Sequence, residues 1–329
     1  MEKRSVLITG AGGYVGARLV PRLLENGFHV IAVDTYWYGI NVFSPHLNSS
    51  LDIVQIDIRN QSALKDAIKG ATDVIHLACI SNDPSFDLNP KLGKSINLDA
   101  FEPLVKMAID SGVSRFVYAS SSSVYGVKDE VKVTEELSLE PLTDYSKYKA
   151  ICEDILLKYA TRDFVCTVLR PATVCGWSPR QRFDLSVNIL TNHAVNNGQI
   201  KVFGGTQYRP NIHIEDMVEA YLLTLNAPES SVNSEVFNVG SDNLSMDQIA
   251  DEVSKNTGVD KIIHEPTDDL RSYRIDSSKI SNALGFQFQR NVGAAVNDLV
   301  KAFNEKKFQN SMNNPLYFNI KRMKELGIH

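Results

Sequence analysis

The chain has 329 residues and a net charge of −5, with a sequence pI near 5.8. That balance leaves no electrostatic footprint for nucleic acid and no basic run for an anionic membrane surface, so a small molecule is the expected partner. The 43% apolar content is ample for a buried core in one large or two modest domains.

The start, Met1-Glu2-Lys3-Arg4 followed by Ser5-Val6-Leu7-Ile8, has the basic-then-apolar order of a secretory leader, but the run breaks at Thr9-Gly10. It reads as a first strand, and no segment approaches the roughly 18 apolar residues of a membrane span. Short apolar runs at 6–8, 29–33, 53–56, 74–78, 115–119 and 165–169 read as buried strands. Between them, 15–26, 62–69, 91–111 and 145–161 carry helical periodicity, with Gly27 and Gly112 where helices are expected to end. Alternation of this kind predicts an α/β fold with a doubly wound parallel sheet. After residue 170 the sequence becomes loop-rich, with further helices expected at 215–226, 245–257 and 292–304. The four cysteines at 79, 152, 166 and 175 form no CxxC pair and no zinc-ligand spacing with histidine. Neither a disulfide framework nor a metal site is expected, which fits a reducing cytoplasm.

Gly10-Ala11-Gly12-Gly13-Tyr14-Val15-Gly16 lies between the first strand and the first helix. Small residues there let the backbone approach a pyrophosphate, and the helix N-terminus supplies unpaired N–H groups. The spacing is GxxGxxG, and Asp34 follows eighteen residues beyond Gly16 at the end of the second strand. Its carboxylate can accept from both adenosine ribose hydroxyls and repels a 2′-phosphate. No arginine immediately follows it, so NAD is favoured over NADP. The expected division is a Rossmann-type NAD-binding domain over 1–172, also receiving segments from about 210–240, with a smaller C-terminal α/β substrate-binding domain dominating 173–329.

Two further motifs follow in order, Ser120-Ser121-Ser122-Ser123-Val124-Tyr125-Gly126 after the fifth strand and Tyr145-Ser146-Lys147-Tyr148-Lys149. Residues four apart share a helix face, so Tyr145 and Lys149 can address one ligand. A free phenol must fall by roughly 3 pKa units, about 4 kcal/mol, to ionise substantially at neutral pH. Lys149 and the positive ring of an oxidised nicotinamide are the expected sources. Alone, a serine run is an ordinary capping segment and a YxxxK an ordinary amphipathic helix; behind a dinucleotide turn the pair reads as hydride chemistry.

On these motifs the chain resembles the extended short-chain dehydrogenase/reductase family that modifies nucleotide sugars. The resemblance implies Ser121 as the catalytic serine, Tyr145 as acid/base, and Lys149 as the residue that binds the nicotinamide ribose and tunes the tyrosine. It places Asp57 and Ile58 by the adenine, Leu77 and Ala78 by the cofactor ribose, Asn97 in the fourth-helix region and Pro171 beneath the nicotinamide. Tyr14 and Val15 belong to the cofactor turn, and Ser122 and Ser123 to the substrate side. Arg170-Pro171-Ala172-Thr173-Val174-Cys175-Gly176 resembles the family's RxxNVYGP segment, with Thr173 for the usual asparagine and Cys175 for the tyrosine. Arg209 and Arg271 are the diphosphate candidates, since guanidinium binds phosphate bidentately. Arg180 and Arg182 lie where the family covers its substrate, and read either as substrate-binding or as solvated loop charges. Their surroundings resemble a subgroup handling unusual sugars, including nucleotide-linked heptoses, of bacterial surface polysaccharides.

The implied activity is an NAD-dependent nucleotide-sugar 4-epimerase acting through a transient 4-keto sugar, as a homodimer. A C4 dehydrogenase or reductase shares the first step, decarboxylation of a nucleotide-linked uronic acid stays open, and a non-catalytic NAD-responsive binding protein is the reading from another class. Family dehydratases follow their catalytic threonine with Asp-Glu; Ser122-Ser123 stand here, which disfavours 4,6-dehydration.

Overall fold

A computed structural model describes residues 4–267 and 271–328. Six strands follow the expected alternation: β1 (Ser5–Thr9), β2 (His29–Asp34), β3 (Leu51–Gln55), β4 (Asp73–His76), β5 (Arg115–Ala119) and β6 (Val165–Pro171). After them come β7 (Thr173–Cys175), β8 (Ile200–Phe203), β9 (Tyr208–His213), β10 (Glu235–Val239), β11 (Asp242–Ser245) and β12 (Ile262–Glu265). The main sheet has seven strands in the order β10-β6-β5-β4-β1-β2-β3, and every pairing in it is parallel. Strand order reverses beside β1, opening a crevice at the strands' C-terminal ends. All the site motifs converge there.

Parallel strands covered on both faces read as continuous apolar runs; β1 and β5 are buried along their whole length. One face is covered by the helices Gly16–Glu25 and Ile214–Asn226, which contribute Leu19, Val20, Leu23, Met217, Tyr221 and Leu225 to the core. Arg18 and Glu215, and Arg22 and Glu219, pair between these two helices. The other face is covered by Gln61–Ala67, Phe101–Asp110 and Asp144–Lys158, through Leu64, Leu104, Val105, Cys152 and Leu156.

The seventh main-sheet strand, β10, arrives late in the chain and lies beside β6. Beyond the sheet's end, β11-β9-β7 and β12-β8 form two small sheets. A third core, built from Val187, Leu190, Val202, Ile249, Val253 and Val296, packs the helices Ser186–Asn197, Met246–Thr257 and Val292–Asn304 over them.

The stretch expected as one helix over 91–111 is interrupted. It runs as Pro90–Lys94, a wider π-type turn at Ser95–Asp99, then Phe101–Asp110. At that turn Asn97 is buried and its amide bonds both the N–H and the carbonyl of Ile80, at 2.8 and 3.0 Å. A tertiary contact has won over regular helix geometry.

Candidate active site

The glycine-rich turn is shaped by contact. Gly10 has φ +75°, and a Cβ there would lie 2.6 Å from the Ala78 nitrogen. A Cβ on Gly16 would strike the Gly10 and Ala11 carbonyl oxygens. No side chain fits at either position, so the turn from β1 enters its helix close against the loop after β4. The N–H groups of Tyr14 and Val15 make no hydrogen bond among the described residues, leaving donors at a helix N-terminus. Asp34 closes the end of β2, accepting from Tyr36 N at 2.7 Å and Gly12 N at 3.0 Å. Burial pushes its carboxyl up, against those two backbone donors.

A cleft of about 370 Å³ runs from this turn across the sheet's end. Gly10, Gly13, Tyr14, Val15, Gly16, Asp34, Asp57, Ile58, Leu77, Ala78 and Pro171 line it, as do Ser121, Ser122, Ser123, Tyr145, Lys149, Thr173, Arg180, Arg182, Arg209 and Arg271. Asn97 is the exception: it does not line the cleft, and its amide holds Ile80, which does. Asp57 is in the wall, but its carboxylate is taken by Arg59 at 2.6 and 2.9 Å, which holds its pKa low.

The helix Asp144–Lys158 carries both members of the Tyr145/Lys149 pair and begins with a capping box, Thr143 accepting from Ser146 N. Lys149 is 4% exposed; its ammonium donates to Ala119 O at 2.5 Å and stands 6.0 Å from the Tyr145 ring centre. Ser121 follows β5, its hydroxyl 2.9 Å from that of Ser123. Burial pushes the Tyr145 phenol well above its ordinary pKa, Cys79 and Asp83 push the same way, and Arg182 and a Ser121 hydrogen bond oppose them. The phenol therefore carries its proton in this state, in which Lys149 alone does not offset its burial. Lowering it is left to charge brought by bound ligands.

Several contacts that build the site were not foreseen from the sequence, even where one partner lay in a motif. Glu153 and Arg170 are both buried and pair at 2.6 Å, tying the Tyr145 helix to β6. Ser120 donates to Glu153, Arg170 Nη1 reaches the Tyr125 hydroxyl at 2.8 Å, and Tyr125 donates to Asn238 on β10. Asp83 accepts from Thr143 and pairs with Arg271, so it joins the helix cap to the wall opposite. Tyr273 meets Ser122 at 3.2 Å, and Asn319, from the C-terminal helix Asn319–Glu325, bonds Ser81. Cysteines 79, 152, 166 and 175 are free thiols. Among the described residues no His/Cys/Asp/Glu group is placed to hold a metal ion, and no helix is long and apolar enough to cross a membrane.

A seven-stranded parallel sheet with a glycine-rich turn, an acid at the end of β2 and a Tyr/Lys pair at the switch point defines a dinucleotide-dependent enzyme of the extended short-chain dehydrogenase/reductase type. Residues 6–240 match the model of the NAD dependent epimerase/dehydratase family, and the chain belongs to that family. It is 29% identical over 314 residues to the UDP-glucose 4-epimerase of Mycolicibacterium smegmatis, covering 91% of this chain and 98% of that one. Over 280 residues it is 27% identical to the UDP-N-acetyl-alpha-D-glucosaminuronate decarboxylase of Bacillus cytotoxicus, covering 80% and 84% of the two chains. Among solved structures, MoeE5 in complex with UDP-glucuronic acid and NAD superposes with a TM-score of 0.80 at 28% identity, covering 92% of this chain and 99% of that one. The cofactor is NAD. The cradle fits it: there is no room for a Cβ at Gly10 or Gly16, the Tyr14 and Val15 N–H groups are open, and Asp34 lines the cleft at the end of β2.

Proposed function

We propose that the protein is a nucleotide-sugar 4-epimerase working through a transient 4-keto sugar. The observation that carries this reading is the common cleft shared by Ser121, Tyr145 and Lys149, flanked on one side by the cofactor turn and on the other by Arg209 and Arg271. Held at the glycine-rich turn, NAD would supply the acceptor for the C4 hydride and the means of returning it to the opposite face. Tyr145 takes the C4 hydroxyl proton and later restores it, and Ser121 holds the reacting oxygen by hydrogen bonding. Lys149, fixed by Ala119 O, holds positive charge beside the tyrosine. Arg209 and Arg271 bind the diphosphate of the substrate. Ser122, spent on Tyr273, stands where a dehydratase would need a carboxyl group, which argues against elimination of water. The similarity to a UDP-glucose 4-epimerase over nearly the whole chain supports the same chemistry.

We further assign the NAD-binding half to residues 1–172 with segments from 210–240, and the substrate half to most of 173–329. A cytoplasmic homodimer is part of this reading; Ile109 and Ile151, 37% and 42% exposed on neighbouring helices, are the surface offered for it. A role in bacterial surface-polysaccharide sugar synthesis follows the resemblance of the 178–185 segment.

The test is a panel of UDP- and GDP-sugars incubated with the protein and catalytic NAD, followed by NMR. Inversion at C4 without net NADH is expected. Product formed only with stoichiometric NADH would replace epimerisation by dehydrogenation, and loss of carbon dioxide from a uronic acid would replace it by decarboxylation.

A further inference from the structure

Two pairs of arginines line the cleft, at different places. Arg271 pairs with Asp83, and Arg209 donates to the Tyr208 and Arg271 carbonyls, near the point where Ser122 meets Tyr273. Arg180 and Arg182 stand instead by the cofactor turn. Their segment is bolted to that turn through Tyr14, whose hydroxyl donates to Gly176 O at 2.6 Å, while Ser178 Oγ donates to Tyr14 O at 2.8 Å. Arg180 stacks 3.6 Å above the ring of Tyr38, four residues after Asp34. Arg182 bonds Ser81 Oγ at 3.0 Å, in the loop after β4.

Both side chains are more than nine-tenths buried, with exposures of 4% and 8%. Arg182 has a carboxylate partner in Asp184 at 2.8 Å. Among the described residues Arg180 pairs with no carboxylate, and its Nη2 is held at 2.5 Å by the neutral Asn319 Oδ1. Arg180 Nε and Nη1 and Arg182 Nη2 have no hydrogen-bond partner among the described residues. A buried guanidinium left in this condition is costly unless an anion completes it. Burial pushes the Tyr14 phenol up, and both arginines pull against it; Arg180 bears likewise on Asp34. The positive charge is thus felt at the glycine-rich turn, where Tyr14 and Val15 hold their open N–H groups.

We propose that Arg180 and Arg182 clamp the pyrophosphate of NAD from the side opposite the glycine-rich turn, rather than the diphosphate of the sugar nucleotide. Two diphosphates enter the cleft of such an enzyme, and each then has its own arginine pair. Asn319 is a positioning residue, fixing Arg180 through its oxygen and Ser81 through its nitrogen. The C-terminal helix, outside the 6–240 family match, thereby becomes part of the cofactor site. The assignment rests on NAD as cofactor and is independent of which sugar reaction follows.

Calorimetric titration of the full chain, stripped of bound cofactor, with NAD, ADP, AMP and UDP tests this. In Arg180→Gln and in Arg182→Gln, NAD and ADP are expected to bind about 10- to 100-fold more weakly. AMP, with a single phosphate, should lose less than ADP, and UDP, whose diphosphate falls to Arg209 and Arg271, should stay within about twofold. Arg180→Lys and Arg182→Lys keep the charge and should retain part of the lost affinity. Asn319→Ala should weaken NAD in the same direction as Arg180→Gln, by less. UDP weakened with NAD unchanged would return the arginines to the substrate and overturn the proposal. So would an equal loss for all four ligands, which marks damage to the fold.

Discussion

Glu153 and Arg170 meet at 2.6 Å with almost no exposure to water, and between them they tie the Tyr145 helix to β6. Removing one charge strands the other in a dry interior. Glu153→Gln or Arg170→Met should cost about 3–5 kcal/mol of stability, measured by urea denaturation. The double substitution should cost less than the sum of the two, because neither partner is then left unpaired.

Tyr145→Phe keeps the ring in its packed site and removes only the oxygen. Turnover should fall roughly 10²- to 10⁴-fold, as expected for loss of a general acid/base, while NAD affinity stays unchanged by titration. Lys149→Ala should lower both turnover and NAD affinity. Unchanged values for both would remove it from the site.

Alkaline pH offers a separate check. Burial raises the phenols of Tyr14, Tyr118, Tyr145 and Tyr221 above their ordinary value. Above pH 10 the unfolded chain releases these protons and the folded chain keeps them. Their contribution is therefore full below pH 10 and falls as pH rises, by about 1.4 kcal/mol per pH unit for each phenol kept protonated. Chemical denaturation between pH 8 and 11 should show this decline, with a shallower slope in Tyr145→Phe.

Gly10→Ala puts a methyl against the Ala78 backbone in a conformation that disfavours L side chains. A loss of about 2–4 kcal/mol is expected from the strain and crowding. NAD affinity should fall with it, because the turn must move away from the loop after β4.

Much of this architecture was legible because its causes are local. Buried parallel strands must be apolar throughout, so the runs that became β1, β2 and β5 stand out, and the glycines of the turn are marked by their lack of side chains. The Tyr145/Lys149 spacing follows from helix geometry alone. What stayed hidden depends on partners far apart in the chain. Nothing near Glu153 announces that it will be buried, since only Arg170 makes that tolerable. Asn319 reaches Ser81 across 238 residues. The helix Ser186–Asn197 was missed because its asparagines and threonine weaken helical propensity and its N-cap position, Leu185, offers no side-chain hydrogen bond. The arginine pair at 180 and 182 was visible, but its side of the cleft was not.

The main sheet and the outer layer are stitched together repeatedly: β6 runs almost directly into β7, β9 leads into the helix Ile214–Asn226 against the sheet, and β10 passes straight into β11. Such covalent cross-lacing leaves no single hinge about which the halves could swing apart. The floor that aligns hydride donor and acceptor is then held in one geometry, and the 176–182 segment, bolted to the cofactor turn, is held with it.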